Sequence, residues 1–150
     1  LELCKYIKYI VCSKGFAETV TGMKFDYTNP SILVAIYNKL QDKFPNSSIV
    51  ITLEEKGCLY QVGNEIKIMP GLKVNAVDTT GAGDIFHGAF TYGIANNFDM
   101  EKTITLANIA AGLSVIKIGS RLSIPTLSEV LDYYSKKNGV VNNNDNKQNS

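Results

Sequence analysis

The spacing of apolar and polar positions divides the chain into short extended runs and longer periodic ones. YIKYIVCS, Tyr6 to Ser13, is aromatic and β-branched and predicts a buried strand. KGFAETVTG follows as a short helix, with Gly22 placed to end it. The TNP after that supplies Asn29 as an N-cap and Pro30 at the first helical position. Ile32, Leu33, Ile36 and Leu40 then recur at helical spacing and carry the helix to about Phe44. SIVITL, Ser48 to Leu53, is a continuous apolar run of the kind found in central parallel strands. GCLYQV and EIKIMP flank Gly63-Asn64 and predict a hairpin. LKVNAV, Leu72 to Val77, alternates and predicts one more strand.

The remainder reads as helical. One helix starts near Asp84 and runs to about Asn97, its Gly88, Ala89, Gly93 and Ala95 implying close packing on a neighbour. Another covers about Met100 to Ile118. TLSE, Thr126 to Glu129, is a capping box that opens a last helix to about Lys137. Residues 138–150, NGVVNNNDNKQNS, are too polar to fold alone and are expected to be a disordered, Asn-rich tail. No internal repeat is present. This order of elements implies an α/β fold with a mostly parallel sheet in residues 1–137.

Bulk properties narrow the function classes. At 150 residues the chain suffices for one core, and 45% hydrophobic with 19% charged residues is ordinary globular composition. A formal net charge of +1 gives no reason to expect nucleic acid or an anionic membrane as the main partner. The apolar runs fall far short of the roughly 20 residues of a membrane span. Lys5 and Lys8 interrupt the opening stretch, so no signal peptide is read there. The three cysteines, Cys4, Cys12 and Cys58, form no C-x-x-C pair and read as small core hydrophobes in a reducing, cytoplasmic compartment. A single histidine, His87, removes most His-based zinc sites and counts against a Ser-His-Asp triad. The chain opens without Met on an apolar stretch, and we read it as a piece of a longer protein.

The candidate chemistry lies in DTTGAGD, Asp78 to Asp84. It is not a Walker A loop, because the chain has no Gly-Lys dipeptide. Nor is it a Rossmann fingerprint, because Phe86 stands where the third glycine belongs. What remains is a strand, a glycine turn and a helix. The N–H groups of Gly81, Ala82 and Gly83, with the helix's own unpaired donors and positive dipole end, would form an anion hole for a phosphoryl group. Asp84 beside it reads either as an ordinary acidic residue at a helix start or as a general base that deprotonates a hydroxyl. G-x-G-D alone arises by chance in roughly one chain in twenty of this length. Asp78, Thr79 and Thr80 in front of it, between a strand and a helix, make it specific.

VDTTGAGDIFHGAF closely resembles the second signature of the ribokinase-like (PfkB) carbohydrate kinases, and the resemblance extends over about Tyr6 to Ile124. It corresponds to the C-terminal half of such a kinase. The resemblance implies a three-layer α/β/α fold and transfer of the γ-phosphate of ATP to a sugar hydroxyl with Mg2+. Asp84 matches the catalytic base, and Gly81 to Gly83 match the anion hole. TLEEKG (Thr52, Leu53, Glu54, Glu55, Lys56, Gly57) matches the loop that contacts nucleotide phosphates and ribose. Asn108, in LANIAAGLSV, matches the nucleotide-contacting Asn. Many members bind a monovalent cation such as K+ beside the anion hole, and the matching positions are Asp78, Thr80, Ser114, Lys117, Gly119 and Ser123. Two departures stand out. Glu54 replaces the family's usual glycine, and a carboxylate there either points to solvent or weakens nucleotide binding. Ser13-Lys14-Gly15-Phe16 replaces the N-x-x-E that helps to place Mg2+.

These residues lead us to expect a sugar kinase. A nucleoside kinase of the same family and a non-catalytic nucleotide-binding module stay open as alternatives. The sugar-contacting residues of the family lie mainly in its N-terminal half. The chain alone is therefore expected to be inactive, and to pair with that half or with copies of itself. His87 reads as packing rather than catalysis, and Lys56 as a solvated loop lysine.

Overall fold

A computed structural model describes residues 6–119 and 121–145. They fall into two compact units, Leu1–Gly71 and Leu72–Ser150. In the first unit the elements are β1 (Tyr9–Ser13), α1 (Lys14–Thr21), α2 (Pro30–Lys43), β2 (Ser48–Thr52), a single 3-10 turn at Glu54–Lys56, β3 (Cys58–Val62) and β4 (Glu65–Met69). The strands form one sheet in the order β1-β2-β3-β4. The pair β1–β2 is parallel, whereas β2–β3 and β3–β4 are antiparallel. The expected mostly parallel sheet is therefore a mixed one among the described residues. The reason is local: the hairpin turns back directly, while only the β1–β2 connection carries helices long enough for a parallel crossover.

The caps account for the helix ends. Ser13 Oγ accepts from Phe16 N–H at 3.2 Å to open α1, and Gly22 closes it in the left-handed region at φ 68. Asn29 Oδ1 accepts from Ser31 N–H at 3.1 Å, with Pro30 in the first turn of α2. Leu33, Ile36, Tyr37 and Leu40 of α2 are buried, as their spacing requires, against a cluster that includes Cys12, Ile49, Ile51 and Leu59. The register explains that cluster, because Cys12 pairs with Ile51 and Ile51 with Leu59 across three strands. Side chains alternate along a strand, so one row faces the helices. Cys12 and Cys58 are buried and free, and burial pushes both thiols up to about 12. β2 stands between them, a spacing of about 9–10 Å that no disulfide spans. Cys4 lies outside the described residues. The hairpin turns at Gly63-Asn64 as expected, with a positive φ of 58 at Gly63.

The second unit is helical: α3 (Ala82–Ala95), α4 (Met100–Ser114) and α5 (Leu127–Asp145). Segment 72–77 is not a strand, despite its alternation. A strand needs a ladder partner, and the amide that ends this segment goes elsewhere. Val77 and Asp78 both donate to the carbonyl of Val115, at 2.7 and 3.2 Å. Helix α4 stops at Ser114, earlier than the expected Ile118, so that this terminal carbonyl is left for them. Asp99 caps α4 by accepting from Lys102 N–H at 2.8 Å. Close packing of α3 on α4 is present at Gly93, where an added Cβ would stand 2.7 Å from Thr103 Oγ1. The capping box at Thr126 and Glu129 forms as expected. Helix α5 continues to Asp145, past the expected end near Lys137 and into the Asn-rich stretch. The rest of that stretch, 146–150, lies outside the described residues.

Candidate active site

The second unit carries the DTTGAGD turn. Gly81 is the N-cap of α3 at φ 80, ψ 0, a left-handed conformation that glycine adopts without strain, and no side chain caps the helix. The turn closes through Ala82 N–H to the Thr79 carbonyl at 3.2 Å and Ile85 N–H to the Gly81 carbonyl at 3.0 Å. One of the three amides expected in an anion hole, that of Ala82, is thus committed to the turn itself. Among the described residues no backbone carbonyl takes the N–H of Gly81 or Gly83. Gly83 and Asp84 are exposed, and Asp84 stands in the first turn of α3 without an ion pair to any described residue. The uncapped, positive helix end, two uncommitted amides and a solvent-facing carboxylate suit a phosphoryl group approached by a hydroxyl.

Asp78 holds this turn from behind. Its Oδ1 accepts from Thr80 N–H at 2.9 Å and its Oδ2 from Gly119 N–H at 3.2 Å. The Gly119 carbonyl in turn accepts from Ser123 N–H at 3.0 Å. Of the six residues matched to a cation site, Asp78, Thr80, Gly119 and Ser123 are thus drawn into one network. Ser114 is buried and donates its hydroxyl to Ala111 O at 2.8 Å, and the ammonium of Lys117 lies 3.5 Å from Glu129. Asn108 is half-buried on α4. The amide donors favour ionised Asp78, so its carboxyl sits below the ordinary 3.8, with Thr80 N–H the largest cause. A lowered folded value means the tie is complete above the ordinary carboxyl range and is lost as pH falls through the lowered value. The Gly119 amide resonance should therefore titrate with a midpoint below 3.8. A midpoint at or above that value contradicts the tie.

The matched nucleotide loop lies in the first unit. Leu53 is fully buried and anchors it, while Glu54, Glu55 and Lys56 are exposed. The loop closes on itself through Leu53 N–H to Gly57 O at 2.7 Å, Lys56 N–H to Leu53 O at 3.1 Å and Gly57 N–H to Glu54 O at 3.1 Å. Glu54, where the family's glycine was expected, is held at φ 58, a left-handed conformation that costs a non-glycine residue about 1–3 kcal/mol. The Lys56 ammonium lies 4.8 Å from the ring centroid of Tyr27 and 3.9 Å from Glu55, while the residue stays exposed. Lys14 also lies over Tyr27, at 5.5 Å. The role of Tyr27 was not legible, because nothing in the sequence links it to residues thirteen positions before and twenty-nine after. His87 is exposed, with its ring edge-on to Phe86 at 6.4 Å. No group of three His, Cys, Asp or Glu side chains among the described residues could hold a metal ion.

A family model for the pfkB family of carbohydrate kinases matches residues 1–127. The chain belongs to that family. Among curated proteins it is 34% identical over 116 residues to the ribokinase of Lactococcus lactis, covering 70% of this chain and 37% of that protein. It is 36% identical over 127 residues to the deoxyribokinase of Salmonella typhi, covering 85% and 40%. Among solved structures, the ribokinase of Cryptococcus neoformans in complex with ADP superposes with a TM-score of 0.75 at 26% identity, covering 84% of this chain and 44% of that one. The ribokinase of Thermotoga maritima gives 0.69 at 27% identity, covering 89% and 44%. The chain spans about two fifths of the length of these relatives.

Proposed function

We propose that the chain is the nucleotide-binding, C-terminal portion of an ATP-dependent kinase that phosphorylates a sugar hydroxyl, within a three-layer α/β/α fold when complete. The observation that carries this reading is the Gly81-led start of α3. It has no side-chain cap, it leaves the Gly81 and Gly83 amides uncommitted, and it sets Asp84 beside them. Asp84 takes the proton of the acceptor hydroxyl as its oxygen bonds to the γ-phosphorus and the bond to ADP breaks. The Gly81 and Gly83 amides stabilise charge on the transferred group, while Ala82 closes the turn. Thr52 to Gly57 and Asn108 hold the nucleotide. The ADP bound to the Cryptococcus ribokinase supports nucleotide binding by a protein of this fold.

Asp78, Thr80, Gly119 and Ser123 would hold a monovalent cation, which when bound would add positive charge behind the turn. Ser13 and Phe16 stand where the family's N-x-x-E has Asn and Glu, and among the described residues no group of three His, Cys, Asp or Glu side chains could hold a metal ion. We assign no residue and no step to that ion. No helix among the described residues is long and apolar enough to cross a membrane.

The test is phosphate transfer from ATP by the protein joined to the missing part of the fold, with ribose, deoxyribose, other sugars and nucleosides as acceptors. Transfer to a pentose supports the reading, and transfer confined to nucleosides moves it to the nucleoside branch. ATP binding without transfer to any acceptor favours the non-catalytic alternative, against which the exposed Asp84 argues.

A further inference from the structure

Two glycines fourteen residues apart meet at the nucleotide loop. At Gly57 an added Cβ would strike the Met69 carbonyl and stand 2.5 Å from Gly71 N and 2.7 Å from Pro70 C. At Gly71 it would strike the Glu55 carbonyl and stand 2.9 Å from Glu55 C and 3.2 Å from Gly57 N. All of these neighbours are backbone, which cannot swing aside as a side chain can. The two glycines differ in why they are needed. Gly57 has φ 96, so its conformation alone demands glycine, whereas Gly71 is not among the residues with positive φ. Clearance alone keeps Gly71 bare, and the group it clears is the carbonyl of Glu55, inside the loop.

We propose that Gly71 is a positioning residue for the nucleotide, resting on the kinase reading above. Backbone-on-backbone contact at Gly71 sets where the 53–57 loop sits against the end of β4. The loop cannot choose that place by local preference, because Glu54 is held in a left-handed conformation it would not adopt alone. Burial of Leu53 fixes one end of the loop, and the Gly57–Gly71 contact fixes the other. A methyl group at position 71 leaves its own backbone unstrained but pushes the Glu55 carbonyl outward. A displacement of about 1 Å at a binding loop is enough to cost on the order of 100-fold in function.

The experiment is Gly71→Ala in the full chain, read by amide hydrogen exchange at Lys56 and Gly57 and by calorimetric titration with ATP. The expected result is exchange at both amides at least about tenfold faster and an ATP dissociation constant raised at least about tenfold, with cooperative melting retained. If Gly71→Ala alone does not fold, the same readings are taken with Glu54→Gly added, which frees the loop to shift. Unchanged exchange overturns the positional role of Gly71, whatever the nucleotide does. Faster exchange with unchanged ATP affinity overturns the link between this lock and binding. A wild-type chain that binds no ATP overturns the nucleotide reading itself.

Discussion

Asp84→Asn in the complete enzyme is expected to lower turnover by about 10²–10⁴-fold with little change in ATP affinity. The substitution keeps size and polarity while removing the basic oxygen. Asp84 is exposed and forms no ion pair with a described residue, so the fold does not depend on its charge. The loss should therefore fall on turnover rather than binding, which distinguishes a base from a helix-start acid. An acid placed there only for the helix dipole contributes about 0.3–1 kcal/mol to stability and nothing to the chemical step. A coupled ADP-release assay measures the difference, and an undiminished rate in the variant disposes of the base.

Gly57→Ala should produce the largest loss of stability among the site substitutions. The φ of 96 is outside the range of ordinary side-chain-bearing residues, at a cost of about 1–3 kcal/mol. The new methyl would also meet the Met69 carbonyl and the Pro70–Gly71 backbone, and overpacking adds about 1–3 kcal/mol more. Together these come to about 4 kcal/mol, or a melting point lower by roughly 10 °C in a chain of this size. Denaturant unfolding reads it directly. A change within about 0.5 kcal/mol, the range of an ordinary surface substitution, shows that the loop yields where we describe it as locked.

The elements legible in the sequence were those with a short-range cause. Asn29-Pro30, Gly22 and the Thr126–Glu129 box satisfy helix ends within a few residues, and they were found where expected. The hairpin was legible because Gly63-Asn64 separates two strand-forming runs by the length a tight turn needs. DTTGAGD was legible for the same reason, since a glycine turn entering a helix is a local arrangement. The failures were of a different kind. Segment 72–77 has a strand's alternation, but a strand exists only with a partner, and its last amide went to the end of a helix nearly forty residues on. The parallel sheet was over-counted because an apolar run does not state the direction of its neighbours.

The site divides along the same line. Residue types alone marked Asp84 and the glycines of the turn, because each chemical role needs a particular group at short spacing, while the 52–57 loop was marked only by the family resemblance. Tertiary contacts alone decided that Asp78 ties down Gly119 and that Glu54 is tolerated in a glycine conformation. They also decided that Gly71 must stay bare. Each of these depends on which backbone or side-chain atoms come within a few ångströms after packing, and chain distance carries no record of that.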